Sequence, residues 1–265
     1  LPHNFIELID GSIKILQGKK VSVVPDFLNG GMADFSNYNE GMRGGKVRVR
    51  AKIRKEDAKT LIIHEIPFGT NTSNLIDSIL KANEKGKLKV KKVEDNTAAD
   101  VEIVIHLPAG ISPDKTIDAL YAFSDCEISI SPNACIIEDD KPLFTSVNEM
   151  LRINTNDTVR LLKMELEIKL AELHEQWHYS SLEKIFIENK IYIDFDGKTY
   201  EEAIEVTHVL LKPHIKHLLR EVTNDDVIRL LEIKMRRITK HDGDKADTYI
   251  NSLEDQIAEV KEKLN

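Results

Sequence analysis

Apolar residues recur at alternating spacings of three and four from Val159 through Leu162, Leu166, Leu170 and Leu173 to Trp177, with charged residues filling the positions between. This spacing puts them on one stripe of an α-helix. The same spacing returns in Leu253, Ile257, Val260 and Leu264. A lone helix cannot hide such a seam from water. The pattern therefore predicts two arms, residues 153–180 and 245–265, folded back on each other as an antiparallel coiled coil. At ~1.5 Å per residue the first arm is on the order of 35 Å long, and residues 181–244 become a compact head on a stalk.

Upstream the pattern is different. Asn4 is a candidate N-cap for a short helix whose apolar face is Phe5, Ile6, Leu8, Ile9, Ile13 and Leu16. Residues 25–45, rich in Gly, Asn, Asp and Ser, read as an irregular connection. From 46 to 54 the residues then alternate, with Lys46, Arg48, Arg50, Lys52 and Arg54 on one face and Val47, Val49, Ala51 and Ile53 on the other. Period two predicts a single β-strand with five cations turned outward, and residues 60–66 read as its antiparallel partner. A helix over 71–85, strands over 88–93 and 101–107, and a helix from Ser112-Pro113 to 122 follow. A hairpin pairing 127–130 with 134–137 and a short helix over 147–152 complete this part. In the head, helices are expected over 200–211, 213–220 and 224–238, the last capped by Thr223, with a loop at 194–197. The sum is an α+β chain: a linking helix (1–20), a mixed sheet-and-helix domain (21–152), the coiled-coil arms, and a small all-α head.

Composition changes this picture little. The net charge is -8 and 31% of residues are charged, which argues for a soluble protein. No apolar run is long enough for a transmembrane helix and the N-terminus lacks a signal-peptide pattern, so neither membrane nor export is indicated. Cys126 and Cys135 fit reduced core thiols of a cytosolic protein better than a disulfide. The sequence opens at Leu1-Pro2-His3-Asn4 without a methionine and reads as a piece of something larger.

Among the motifs, His174-Glu175-Gln176-Trp177-His178 matches the H-E-x-x-H zinc pattern, but on a thin stalk with no third ligand, solvated histidines are the better reading. Asp194-x-Asp196 with Glu205 imitates a calcium loop and lacks its glycine, and Arg43-Gly44-Gly45-Lys46 lacks the residues of a phosphate-binding loop. No metal or cofactor site is assigned. The basic strand remains. Edge protection needs one or two cations, whereas 41–55 carries seven and no acid before Lys55. Arg43, Lys46, Arg48, Arg50, Lys52 and Arg54 are therefore the candidate contacts to a polyanion backbone, made to phosphates rather than to bases.

Several of these segments, in order, resemble the A subunit of bacterial type IIA DNA topoisomerases, DNA gyrase and topoisomerase IV. The residues that carry the resemblance are Leu1-Pro2-His3-Asn4 before a helix, Pro25-Asp26-Phe27, Gly45-Lys46-Val47 with Arg50-Ala51, His64-Glu65-Ile66-Pro67-Phe68 with Asn71 and Leu75, and Val222-Thr223 through Met235-Arg236-Arg237-Ile238-Thr239. The resemblance implies an enzyme that cuts one duplex, passes another through and reseals, with ATP and Mg2+ used by a separate B subunit. It also implies a catalytic tyrosine upstream of Leu1, in a winged-helix domain, and none of Tyr38, Tyr121, Tyr179, Tyr192, Tyr200 or Tyr249 stands in the family's Arg-Tyr-Thr context. It further implies a tower supporting an arm of bent double-stranded DNA, an exit-gate head that dimerises with a second copy of the chain, and a bacterial cytoplasmic, nucleoid-associated setting. Thr72 and Asn74 stand where relatives often carry Lys and Arg. The residues alone also allow another reading: a coiled-coil interaction protein whose basic sheet binds RNA or an acidic partner.

Overall fold

The computed structural model describes residues 1–193, 197–239 and 241–264; the expected loop at 194–197 lies largely outside them. The chain combines helices and strands and divides into two compact units, Leu1–Asp157 and Thr158–Asn265.

In the first unit, α1 (Phe5–Leu16) is capped as expected, the Asn4 side chain accepting from the backbone N–H groups of Ile6 and Glu7. Its packing face is not the apolar stripe. Phe5, Ile6, Ile9, Ile13 and Leu16 are all exposed, and the helix rests instead on Gly11, which is buried where a Cβ would meet the Leu151 side chain at 2.8 Å. The Thr155 hydroxyl donates to Ser12 Oγ at 3.1 Å beside it. The missing Cβ is what lets Leu151 come this close.

The expected single basic strand is two strands in two sheets. A three-stranded antiparallel sheet holds β1 (Met32–Asp34), β2 (Val47–Arg50) and β7 (Glu127–Ile130) in the order β1-β2-β7. A four-stranded antiparallel sheet orders β3 (Lys52–Lys55), β4 (Thr60–Glu65), β6 (Ile103–His106) and β5 (Lys92–Asp95) as β3-β4-β6-β5. The chain changes sheets at Ala51. This residue is fully buried, its N–H bonded to the Cys126 carbonyl at 2.8 Å and its carbonyl accepting from the Tyr121 hydroxyl at 2.9 Å. A register shift at Lys52/Ile53 turns the strand away there. The alternation runs unbroken in sequence, yet Val47 and Val49 pack with Tyr38, whereas Ala51 packs with Leu61, Ile63, Leu75 and Ile105.

Helices α2 (Thr72–Glu84), capped by Asn71, and α3 (Pro113–Phe123) complete this second core through Leu75, Ile79 and Leu120. The expected hairpin of 127–130 with 134–137 does not form. β7 pairs with β2, and β8 (Cys135–Glu138) pairs with β9 (Lys141–Phe144) across Asp139 and Asp140, both in the left-handed region. Pro142 hides β9 from the strand pattern. It sits on a two-stranded ribbon, where a missing N–H is tolerated. Both cysteines are free; Cys126 is buried, its thiol pushed up to about 11 by burial, but Cys135 is exposed and not a core thiol.

The expected short helix over 147–152 is the first part of one 42-residue helix, α4 (Val147–Glu188). In the second unit, α8 (Gly243–Leu264) packs on α4 through a cluster of Leu173, Trp177, Leu253, Ile257 and Val260, with Leu166, Leu170 and Leu264 at its margin. Trp177 Nε1 donates to Glu254 at 2.9 Å and Lys184 pairs with Asp247, so the two helices run in opposite directions. Val159 and Leu162, expected in the same seam, are exposed. The remaining core gathers Leu182, Phe186, Ile191, Leu211, Val227 and Leu230 from α4, a 3-10 turn (Ile191–Ile193), α5 (Tyr200–Leu211) and α6 (Asn224–Leu231). Residues 213–220 form turns rather than a helix, and the helix expected over 224–238 breaks after Leu231, resuming as α7 (Met235–Thr239).

Candidate nucleic-acid interface

The six candidate cations divide by their partners. Each cation from Arg48 to Arg54 faces a carboxylate, three of them directly across a strand pair. Arg48, registered opposite Asp34, donates to it at 2.6 Å; Arg50, opposite Glu127, pairs with it; Lys52, opposite Glu65, sits 2.9 Å from it. Arg54 lies 3.3 Å from Glu56. Opposite charges facing each other across antiparallel strands stabilise the pairing instead of repelling along it. The anion that the charge row requires is thus supplied by the same chain. Arg43 and Lys46 are exposed and make no ion pair among the described residues.

Two of these acids are held ionised by their hydrogen bonds. Hydrogen bonds from Ser36 and the Arg48 guanidinium hold the Asp34 carboxyl well below the usual range. The Gly31 amide and then the Lys52 ammonium lower Glu65. Gly31 has a φ of +89° and a Cβ there would meet the Arg50 carbonyl oxygen at 2.8 Å, so only glycine brings this turn onto the strands. These pairs remain solvated, with 42–55% of each cationic side chain accessible, and exposed pairs of this kind are each worth about 0–1 kcal/mol. A phosphate can displace such an acid at small cost, but the surface has little net field to attract one from a distance.

Among the described residues, the largest run of cations without acid partners lies outside residues 46–54. Lys81, Lys85, Lys87, Lys89 and Lys91 are exposed and make no ion pair among the described residues. The sequence offers two signals for them, their crowding within 81–92 and the period-two recurrence of Lys85, Lys87, Lys89 and Lys91.

The H-E-x-x-H residues have a structural task. Both Glu175 oxygens accept from Arg220 at 2.8 Å, and Arg220 also grips Asp226 at 2.6 and 2.9 Å. Glu175 is therefore not poised as a base. His178 is buried rather than solvated, with its Nε2 3.5 Å from Asp226, and burial lowers its pKa. Several tyrosines are likewise committed: Tyr121 donates to Ala51 and Tyr179 to the Arg229 carbonyl, with the Arg229 guanidinium 4.0 Å above its ring.

Against known proteins, the family model for the A subunit of DNA gyrase/topoisomerase IV matches residues 1–265. The chain belongs to this family. It is 36% identical to the A subunit of DNA topoisomerase 4 from Borreliella burgdorferi over its whole length, which is 42% of that relative. It is 26% identical over 99% of the chain to the A subunit of DNA topoisomerase 4 from Staphylococcus aureus, and 25% identical over 99% to the A subunit of DNA gyrase from Chlamydia muridarum. This gyrase/topoisomerase IV A-subunit chain thus spans about two fifths of the first of these relatives and about a third of the other two.

Proposed function

We propose that the chain is a non-cleaving part of the DNA breakage-reunion subunit of a type IIA topoisomerase, which passes one duplex through another and thereby relaxes and decatenates DNA. The observation that carries this reading is the family match along the entire chain. Residues 21–152 serve as the tower that supports a bent DNA arm. Residues 153–180 and 245–265 are the arms of an antiparallel coiled coil, supported by the seam of Leu173, Trp177, Leu253, Ile257 and Val260. Residues 181–244 form the exit gate, where a second copy meets the first. ATP and Mg2+ are used by a partner B subunit, in the bacterial cytoplasm at the nucleoid. No described helix is long and apolar enough to cross a membrane. Within the basic set, Arg43 and Lys46 contact phosphate directly, and Arg48, Arg50, Lys52 and Arg54 do so by exchanging a carboxylate for it.

The test uses the full-length subunit with its B subunit, ATP and Mg2+ on supercoiled plasmid. Relaxation is expected, while residues 1–265 alone leave the plasmid uncut. In the full-length subunit, Arg43→Gln with Lys46→Gln lowers duplex affinity several-fold and reduces the salt slope by about 2. Absence of relaxation by the assembled enzyme, or cutting by the isolated chain, overturns the proposal.

A further inference from the structure

The chain is acidic overall, yet residues 81–92 hold six lysines against one glutamate. The backbone that carries them is fixed. Lys81 lies in the last turn of α2, and Lys85 is its C-cap. Beyond the helix, Leu88 and Val90 are 3% and 8% exposed and packed into the four-stranded core, so Lys87, Lys89 and Lys91 at the intervening positions point to solvent. Two bonds pin the segment: Asn83 Oδ1 accepts from the Val90 N–H at 2.9 Å, and the His106 carbonyl accepts from the Lys91 N–H at 2.8 Å.

The surroundings do not neutralise this track. Lys92 pairs with Glu94, and Lys87 lies 5.6 Å from the Phe123 ring centroid, but the other lysines keep their charge unshared among the described residues. Lys81, Lys85 and Lys87 line an open groove of about 690 Å³ with Asn74, Ser78 and Phe123, and the acids on it are Asp77 and Asp125. Protection of the β5 edge against strand pairing accounts for Lys92. It does not account for lysines on a helix or on the stretch before the strand.

We propose that the track from Lys81 to Lys91 is the principal phosphate-binding surface of this chain, taking the sugar–phosphate backbone of a DNA duplex. The proposal rests on the topoisomerase reading for the identity of the polyanion and adds the place of contact. Gly86, at a φ of +68°, turns the chain back, and with the Lys87 and Leu88 N–H groups on the Ala82 carbonyl and the Val90 N–H on Asn83 the lysines crowd around the end of α2 as a compact patch. Phosphates along one strand recur every ~3.4 Å of helix axis, so such a patch meets several of them. A lysine ammonium is a point charge without a fork, and nothing on the track reads base edges, so binding is independent of sequence. The strand cations, each beside its own carboxylate, contribute less because they exchange one anion for another.

The experiment measures affinity of the full-length subunit for a fluorescent linear duplex across a series of NaCl concentrations. Lys81→Gln, Lys87→Gln and Lys89→Gln together are expected to weaken binding at least tenfold, reduce the salt slope by about 3, and do so equally on two unrelated sequences. Arginine at the same three positions restores wild-type binding, and the circular dichroism of both variants matches wild type. The Arg48→Gln, Arg50→Gln, Lys52→Gln triple variant is expected to lose less. Steep salt-dependent binding by wild type with an unchanged slope in the glutamine variant overturns the lysine track and leaves the topoisomerase reading standing. Absence of salt-dependent duplex binding by wild type overturns both.

Discussion

Arg220 is the residue on which the polar interior of the second unit turns. It satisfies Glu175 and the buried Asp226 at once, while Asp226 also accepts from the Thr223 N–H in a capping box at the start of α6. Burial works to raise the Asp226 carboxyl; Arg220 and Thr223 outweigh it and hold the group well below its usual range. Replacing Arg220 with Met strands two carboxylates. The expected loss is about 2 kcal/mol, less than for a fully buried pair because the guanidinium is 35% accessible to water. Urea unfolding followed by Trp177 fluorescence reads it. The same cluster sets an acid limit. His178 has a folded pKa below its unfolded value, so stability falls as pH drops below about 6.5. Asp226 is depressed too, so its contribution is complete above about pH 4 and is lost below that, toward its folded value. Two successive declines in the urea midpoint are expected on acidification, and His178→Asn shrinks the upper one, to which His3 and His174, lowered by burial as well, also contribute.

At the level of elements, the paired helices and the divided strand show what periodicity can and cannot say. The seam residues were legible because a 3.6-residue repeat leaves only one stripe to bury, and Leu173, Trp177, Leu253, Ile257 and Val260 are buried where that stripe puts them. With Trp177 against Glu254 and Lys184 against Asp247, Leu264 reaches only to about residue 167, so Val159 and Leu162 have no opposite residue within 1–265 and are exposed. In the isolated chain Leu173→Ala is therefore expected to cost about 2–4 kcal/mol and Leu162→Ala under about 0.5, both measured by urea unfolding. The basic strand was legible as alternation, since Val47, Val49 and Ala51 are all buried. Its neutralising acids were not, because Asp34, Glu65 and Glu127 are brought opposite only by strand register, and no local pattern encodes register between distant segments.

On the scale of the whole molecule, the sequence carries two basic alternations, Lys46 to Arg54 and Lys85 to Lys91, and nothing in either pattern says which keeps its charge unpaired; that is decided by the acids that strand register brings opposite the first. If residues 181–244 are a gate, the chain should associate head to head with two-fold symmetry. Light scattering at tens of micromolar is expected to show a dimer, and a strictly monomeric particle counts against the gate.

Ala51 gives the first unit a mechanical character. The two sheets meet at a residue whose backbone is bonded on both sides, to Cys126 and to Tyr121, and the Gly31–Glu65 bond and the Phe27–Phe68 stack tie the layers beside it. Several ties around one continuous strand leave the layers little freedom to hinge, so the unit is built to bear a load as one block.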